Sequence, residues 1–157
     1  MARPGTIDPK AEQPVKLPPL EGGDRLTRLE FERRYDAMPG LKKAELIEGE
    51  VHMPSPVRWE HHGGPHAGFV GWLVYYQAQT PGVDVADNAS IRLDMDNEPQ
   101  PDATMIIQPG YGGRVVLDVE DYVVGGPEFI GEVSASTVSI DLHKKLRVYR
   151  RNQVQEY

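Results

Sequence analysis

At 157 residues, 39% of them apolar and 26% charged, the chain is one domain's worth of ordinary globular protein, and this composition excludes a disordered polymer or a membrane-embedded bundle. A formal charge of −7 argues against gripping nucleic acid over a broad basic face and leaves room only for a local basic strip. The absence of cysteine excludes disulfides, thiolate zinc sites and cysteine nucleophiles, and fits a reducing, cytoplasmic setting.

Residues 1–23 hold five of the fourteen prolines and end in Gly-Gly, so they read as a disordered, loosely attached arm ahead of one domain spanning 24–157. The arm has no apolar stretch of the kind a secretory signal carries, and no apolar run in the chain approaches the roughly 20 residues that span a bilayer. "DRLTRLEFERRYDAMPG" (24–40) spaces Leu26, Leu29 and Tyr35 as a helix does. Thr27 followed by Glu30 resembles a capping box, and Pro39-Gly40 stops the helix. "KAELIEGEVHMPSP" (43–56) alternates around Glu48-Gly49, which predicts a hairpin.

A helix opening near Pro65 comes next, with Phe69, Val70, Leu73, Val74 and Tyr76 or Gln77 on its apolar face, and Pro81-Gly82 ends it. Strands are expected over 83–96, 101–108 and 128–133. Between the last two, the glycine-flanked 110–127 reads as an irregular excursion. A helix over 139–153 carries Leu142, Leu146 and Tyr149 on one stripe. "VQEY" at the end reads as the start of a further strand, cut short.

Two carboxylates stand out because they sit in apolar strands: Asp102 in "QPDATMII" and Glu132 in "PEFIGEVSAS". An ionised carboxylate in a core neutralises, finds a partner or holds a cation. Brought together in one sheet, the two would repel unless a cation lay between them, and hard oxygen donors of this kind suit Mg²⁺ or Mn²⁺. The opposing reading puts each at a strand end, solvated or salt-bridged. Asp141, Lys145 and Tyr149 fall at i, i+4 and i+8 on the last helix. Lys145 is then either a cation beside the carboxylates or half of an ordinary helix pair with Asp141.

"HKKLRVYRR" (143–151) packs five Lys or Arg and a histidine into nine residues, enough to track a phosphate backbone through Lys144, Arg147, Arg150 and Arg151. It reads equally as a solvated helix face. His62 and His66 have the spacing of a zinc helix, but Gly63-Gly64-Pro65 is expected to break it, leaving polar surface. Ser134, Ser136, Thr137 and Ser139 lie outside any nucleophile-elbow motif and read as turn or capping residues.

"KAELIEGEVHMPSPVR", "GVDVADNASIRLDMDNEPQPDATMII", "PEFIGEVSAS" and "DLHKKLRVYRRNQVQEY" together resemble the Uma-two type restriction endonuclease domain, a family widespread in bacteria and part of the PD-(D/E)XK nuclease superfamily. The similarity runs over about residues 27–157. It implies an α/β restriction endonuclease-like core of helix, three strands, helix and strand, with the N-terminal helix and hairpin as additions and the last strand truncated. It also implies Mg²⁺-dependent hydrolysis of DNA phosphodiesters, with Mn²⁺ as a substitute, and is compatible with a homodimer. By this resemblance Asp102 follows the matching Pro101, and Glu132 is the acid of the E-x-K element, with Val133 as x. Ser134 stands where the superfamily has lysine, and the resemblance passes that role to Lys145 in preference to Lys144. Glu45 matches a further acid that completes the site. The rival expectations are a silent nucleic-acid-binding or assembly protein of the same fold, and a nuclease acting on RNA or structured DNA.

Overall fold

The computed structural model describes residues 17–53, 56–134 and 140–157, the side chains of 140–142 excepted. Helix α1 (Arg28–Asp36) leads into the hairpin β1 (Glu45–Ile47) and β2 (Glu50–His52). Its turn has positive φ at Glu48 and Gly49, 52° and 73°, the pair of left-handed residues that a two-residue hairpin needs to match strand twist. Glu48 N donates to Asn97 Oδ1, which ties the turn to the next layer. Thr27 takes the extended backbone of an N-cap, but its hydroxyl caps nothing, and Glu30 is bound instead by Arg33 and Arg34. The capping-box expectation fails because two guanidinium groups outcompete a backbone amide for the same carboxylate.

A π-helical turn (Trp59–Gly63) runs without a break into α2 (Gly64–Gln79). Pro65 falls in the first turn of α2, where a missing N–H costs little, so the expected helix break at Gly63-Gly64-Pro65 does not occur. Of the predicted apolar face only Leu73 is fully buried, while Val74 and Tyr76 are exposed. Phe69 is held by Gly131, where even a Cβ would meet its ring at 2.3 Å.

The main sheet is antiparallel, in the order β3 (Val83–Asp87), β5 (Ala103–Ile107), β8 (Phe129–Gly131). Glu156 then bridges in parallel to Phe129 on the open side of β8, as a further strand would. The segment 110–127 is more regular than expected. Its β6 (Val116–Leu117) and β7 (Val123–Val124) form a hairpin, and β7 joins β4 (Ile91–Arg92) in parallel. The last helix opens as a π-helical turn (Ile140–Lys145) and continues as α3 (Leu146–Arg151).

One core, with Ile47, Ile91, Ile106, Ile130, Val148 and Tyr149, seals α3 and the small sheet onto the main sheet. A second gathers Phe31, Ala44, Leu46 and Val51 with Leu20. Residues 17–23 therefore belong to the packed domain: Leu20 is buried and Gly23 N bonds to Val51 O. The remainder of the expected arm, 1–16, lies outside the described residues.

A separate charge network, half-buried, centres on Arg92. Arg92 pairs with Glu32, Asp118 and Glu120 and lies over the Tyr122 ring, 3.9 Å from its centroid. Burial, and then the facing Glu32 carboxyl, push Glu98 up to about 8. The folded protein thus holds this proton more tightly than the unfolded chain, whose carboxyl titrates near 4.5. The stability it contributes is complete below about pH 4.5 and is lost as pH rises through about 8. Glu98→Gln should therefore gain on the parent across that window, by at least about 1 kcal/mol at its upper end. Denaturant melts of both proteins at several pH values check this; parallel curves would contradict it.

Candidate active site

The register of the main sheet decides where the two strand carboxylates go. Ala103 pairs with Gly131, so continuing the antiparallel ladder by one residue sets Asp102 opposite Glu132, on one face at one end of the sheet. Neither lies inside a strand: Asp102 precedes β5 and Glu132 follows β8. Asp102 Oδ2 accepts the Val133 amide at 2.8 Å, closing the strand end around the pair.

Glu45 arrives from β1. Residues 98–100 run beside that strand, with Leu46 N bonded to Glu98 O and Gln100 N donating to Glu45 Oε1 at 2.9 Å. The fourth group comes from the last helix. Lys145 Nζ lies 2.8 Å from Glu45 Oε1 and 2.7 Å from Glu132 Oε1, with only 4% of its side chain exposed. Tyr149, one turn further on, donates its hydroxyl to the same Glu132 oxygen at 3.0 Å. The side chain of Asp141 lies outside the described residues, as do Ser136, Thr137 and Ser139. Among the described side chains of the helix Lys145, Val148 and Tyr149 are buried; of the expected stripe Tyr149 is buried, Leu146 is exposed, and the side chain of Leu142 lies outside the described residues.

The electrostatics follow from this burial. Glu132 is pushed up to about 7, chiefly by desolvation, with Glu45 and Asp102 adding to the rise and Lys145 opposing it. Desolvation alone would lower Lys145, but the Glu45 and Glu132 carboxylates outweigh it and hold the ammonium well above its usual range. Burial and then the Glu132 and Glu45 charges likewise raise the Tyr149 phenol, so it remains a donor.

Sequence reasoning missed three more groups. His62 donates Nδ1–H to Val133 O at 2.6 Å and brings Nε2 to 3.5 Å from Asp102 Oδ1. His66 Nε2 donates to Asp102 O at 2.9 Å and reaches Asp87 Oδ1 at 3.1 Å. Lys43 Nζ lies 3.0 Å from Asn88 Oδ1 and 3.4 Å from Asp102 Oδ1. The i, i+4 spacing was the signal for the histidines, and the expected helix break concealed it.

The basic strip is less basic than its sequence. Lys144 pairs with Glu50, Arg147 with Glu48 and Arg151 with Asp94, while Arg150 has no ion pair among the described residues. Acids of the hairpin thus interleave with the cations of the helix.

The family model Uma2, described as "Putative restriction endonuclease", matches residues 29–157. The chain belongs to that family. The mixed α/β architecture agrees with a restriction endonuclease-like fold, and the membership supports a nuclease-like function. Comparison with curated proteins finds no match. Among the described residues no helix is long and apolar enough to cross a membrane.

Lys145→Met leaves the Glu45 and Glu132 carboxylates buried without their cation. A buried ion pair that loses one partner costs about 3–5 kcal/mol. Equilibrium unfolding in urea should show a loss of that order; a loss under about 1 kcal/mol would mean that the carboxylates are readily hydrated or neutralised.

Proposed function

We propose that the protein is a metal-dependent endonuclease that hydrolyses DNA phosphodiester bonds in the cytoplasm. The observation that carries the reading is the meeting of Asp102, Glu132, Glu45 and Lys145 from three separate parts of the chain at one sheet end. The donor chemistry suits a divalent ion: Asp102 and Glu132 sit opposite one another at the sheet end, and Glu132 is raised chiefly by burial, with the Glu45 and Asp102 charges adding to the rise.

Asp102 and Glu132 are the residues that would hold Mg²⁺, or Mn²⁺ in its place. When bound, such an ion polarises the phosphate and acidifies water for attack. Lys145, kept protonated by its two carboxylates, offsets charge that develops on the phosphate. Glu45 fixes Lys145, and Tyr149 fixes the Glu132 carboxylate through its shared oxygen. Lys144, Arg147, Arg150 and Arg151 contact the DNA backbone. Exposed ion pairs are worth about 1 kcal/mol or less, so phosphates can replace Glu48, Glu50 and Asp94 at little cost. A homodimer would present two such sites to opposite strands.

One observation favours a silent scaffold instead. Among the described residues, no three His, Asp or Glu side chains stand together as a ready-made metal cage. Incubation of the protein with plasmid and oligonucleotide DNA in Mg²⁺ or Mn²⁺ decides between the two. The parent should cleave, and Asp102→Asn and Glu132→Gln should each lose on the order of a hundredfold or more, the scale of removing one electrostatic stabiliser. Variants that are folded by circular dichroism and cleave as well as the parent would exclude this site.

A further inference from the structure

Helix α2, GPHAGFVGWLVYYQAQ, carries no Asp, Glu, Lys or Arg in a chain of which 26% is charged. Its inner face is accounted for: Leu73 is buried, Phe69 rests against Phe129, and His66 reaches Asp102. The outer face is not. Gly64, Gly68, Gly71 and Tyr75, at i, i+4, i+7 and i+11, run along it, with Trp72 beside them. Trp59 closes its N-terminal end, with Nε1 lying 4.0 Å from where a Cβ on Gly64 would stand. Trp59, Trp72 and Tyr75 are 82%, 61% and 68% exposed. Rings of this kind present about 150–250 Å² each, so on the order of 400 Å² of aromatic surface stands open on one face. That matches the largest apolar patch of a typical monomer, and such patches mark interaction sites.

We propose that this face joins two copies of the chain, α2 against α2, in a two-fold dimer. Three properties single out a second copy as the occupant. The first is charge: two bodies of −7 repel, and a face without ionised side chains is where they meet at least cost. The same lack of cations leaves a phosphate backbone nothing to bind. The second is area. With Val74, Tyr76 and the small residues between the rings, the face reaches the roughly 600 Å² per partner at which standard interfaces begin. The third is self-complementarity, which an isologous contact requires. Two antiparallel copies of α2, centred between Gly71 and Trp72, set each Gly71 opposite Trp72 and each Gly68 opposite Tyr75, ring against bare backbone. Among the described residues, a Cβ at Gly68 or Gly71 would meet nothing within 4 Å, so nothing inside the chain asks for glycine there. Glycine weakens a helix relative to alanine, and the close approach of a second backbone explains its use. Trp72 is already held in place by Phe69, 6.4 Å away between ring centroids. The pairing leaves the carboxylate corner open, because His66 and Leu73 lie on the opposite face of the helix. The inference gives the homodimer of the preceding section an interface and depends on neither metal nor nucleic acid.

The chain's two tryptophans, Trp59 and Trp72, both lie on this face, so their fluorescence reads it in the unaltered protein. Sedimentation equilibrium of the full chain, without metal or DNA, should show a monomer–dimer transition. Tryptophan emission should shift to the blue over the same concentrations, and iodide quenching should fall severalfold. Trp72→Glu should weaken the dimer about thirtyfold or more, the scale of losing an interface anchor. Gly68→Ala should weaken it while raising the melting temperature of the monomer, since alanine favours the helix itself. Leu117→Glu, exposed on β6, should leave the dimer unchanged. A parent that is monomeric at every concentration, a dimer whose tryptophans stay open to iodide, or one that survives Trp72→Glu overturns the proposal. So does tryptophan protection that appears only on adding oligonucleotide, which would assign the face to DNA. Each of these leaves the nuclease reading standing, because that is decided by cleavage in Asp102→Asn and Glu132→Gln.

Discussion

The ammonium of Lys145, held between Glu45 and Glu132, is the contact on which the rest of this site depends. It ties three parts of the chain that share no secondary structure: the N-terminal hairpin, the end of the central sheet and the C-terminal helix. Its net worth to stability need not be large, because taking all three charges out of water offsets much of their attraction. What it supplies is position. With Lys145 in place, Glu132 and Glu45 share one cation, and Tyr149 settles on the oxygen that the lysine already holds. Without it the same carboxylates repel, and the helix would be held over the sheet end by the apolar packing of Val148 and Tyr149 and by the Tyr149 hydroxyl.

Charge balance then explains why Glu132 can follow an apolar strand. Burial is the main reason why Glu132 remains raised even with Lys145 against it, and the Glu45 and Asp102 charges add to the rise. Lys43 and the two histidines approach the Asp102 side of the corner, and Lys145 approaches the Glu132 side. The arrangement is polarised, with its fixed ammonium on one side and its adjustable groups on the other.

Much of this was legible from the residues. Asp102 and Glu132 announced themselves as acids among strand-forming apolar residues, and the hairpin at Glu48-Gly49 and the succession of helix, strands and helix follow from alternation and turn chemistry. Spacing left Lys145 with two readings and Glu45 was legible only by resemblance, since no local pattern reports that residues 100 positions apart will be hydrogen-bonded. The histidines were misread for a local reason: Gly-Gly-Pro looks like a break, yet it falls where a helix tolerates it. The basic strip was misread for a non-local one. Its counter-charges Glu48, Glu50 and Asp94 lie far away in sequence, so the run looks more cationic than the folded surface is.

π-helical turns open both helices that supply side chains to the site: Trp59–Gly63 before α2 and Ile140–Lys145 before α3. Such turns are frequent at functional sites. A regular helix over 139–153 would set Leu142, Leu146 and Tyr149 on one stripe, which is the face that the apolar pattern favours. The observed helix instead buries Lys145, Val148 and Tyr149, at i, i+3 and i+4, and exposes Leu146. At the other end of the site, the wide turn brings His62 within reach of Val133 and Asp102. At both ends of the site, polar groups are delivered to one corner where the periodic pattern favours apolar ones or a break.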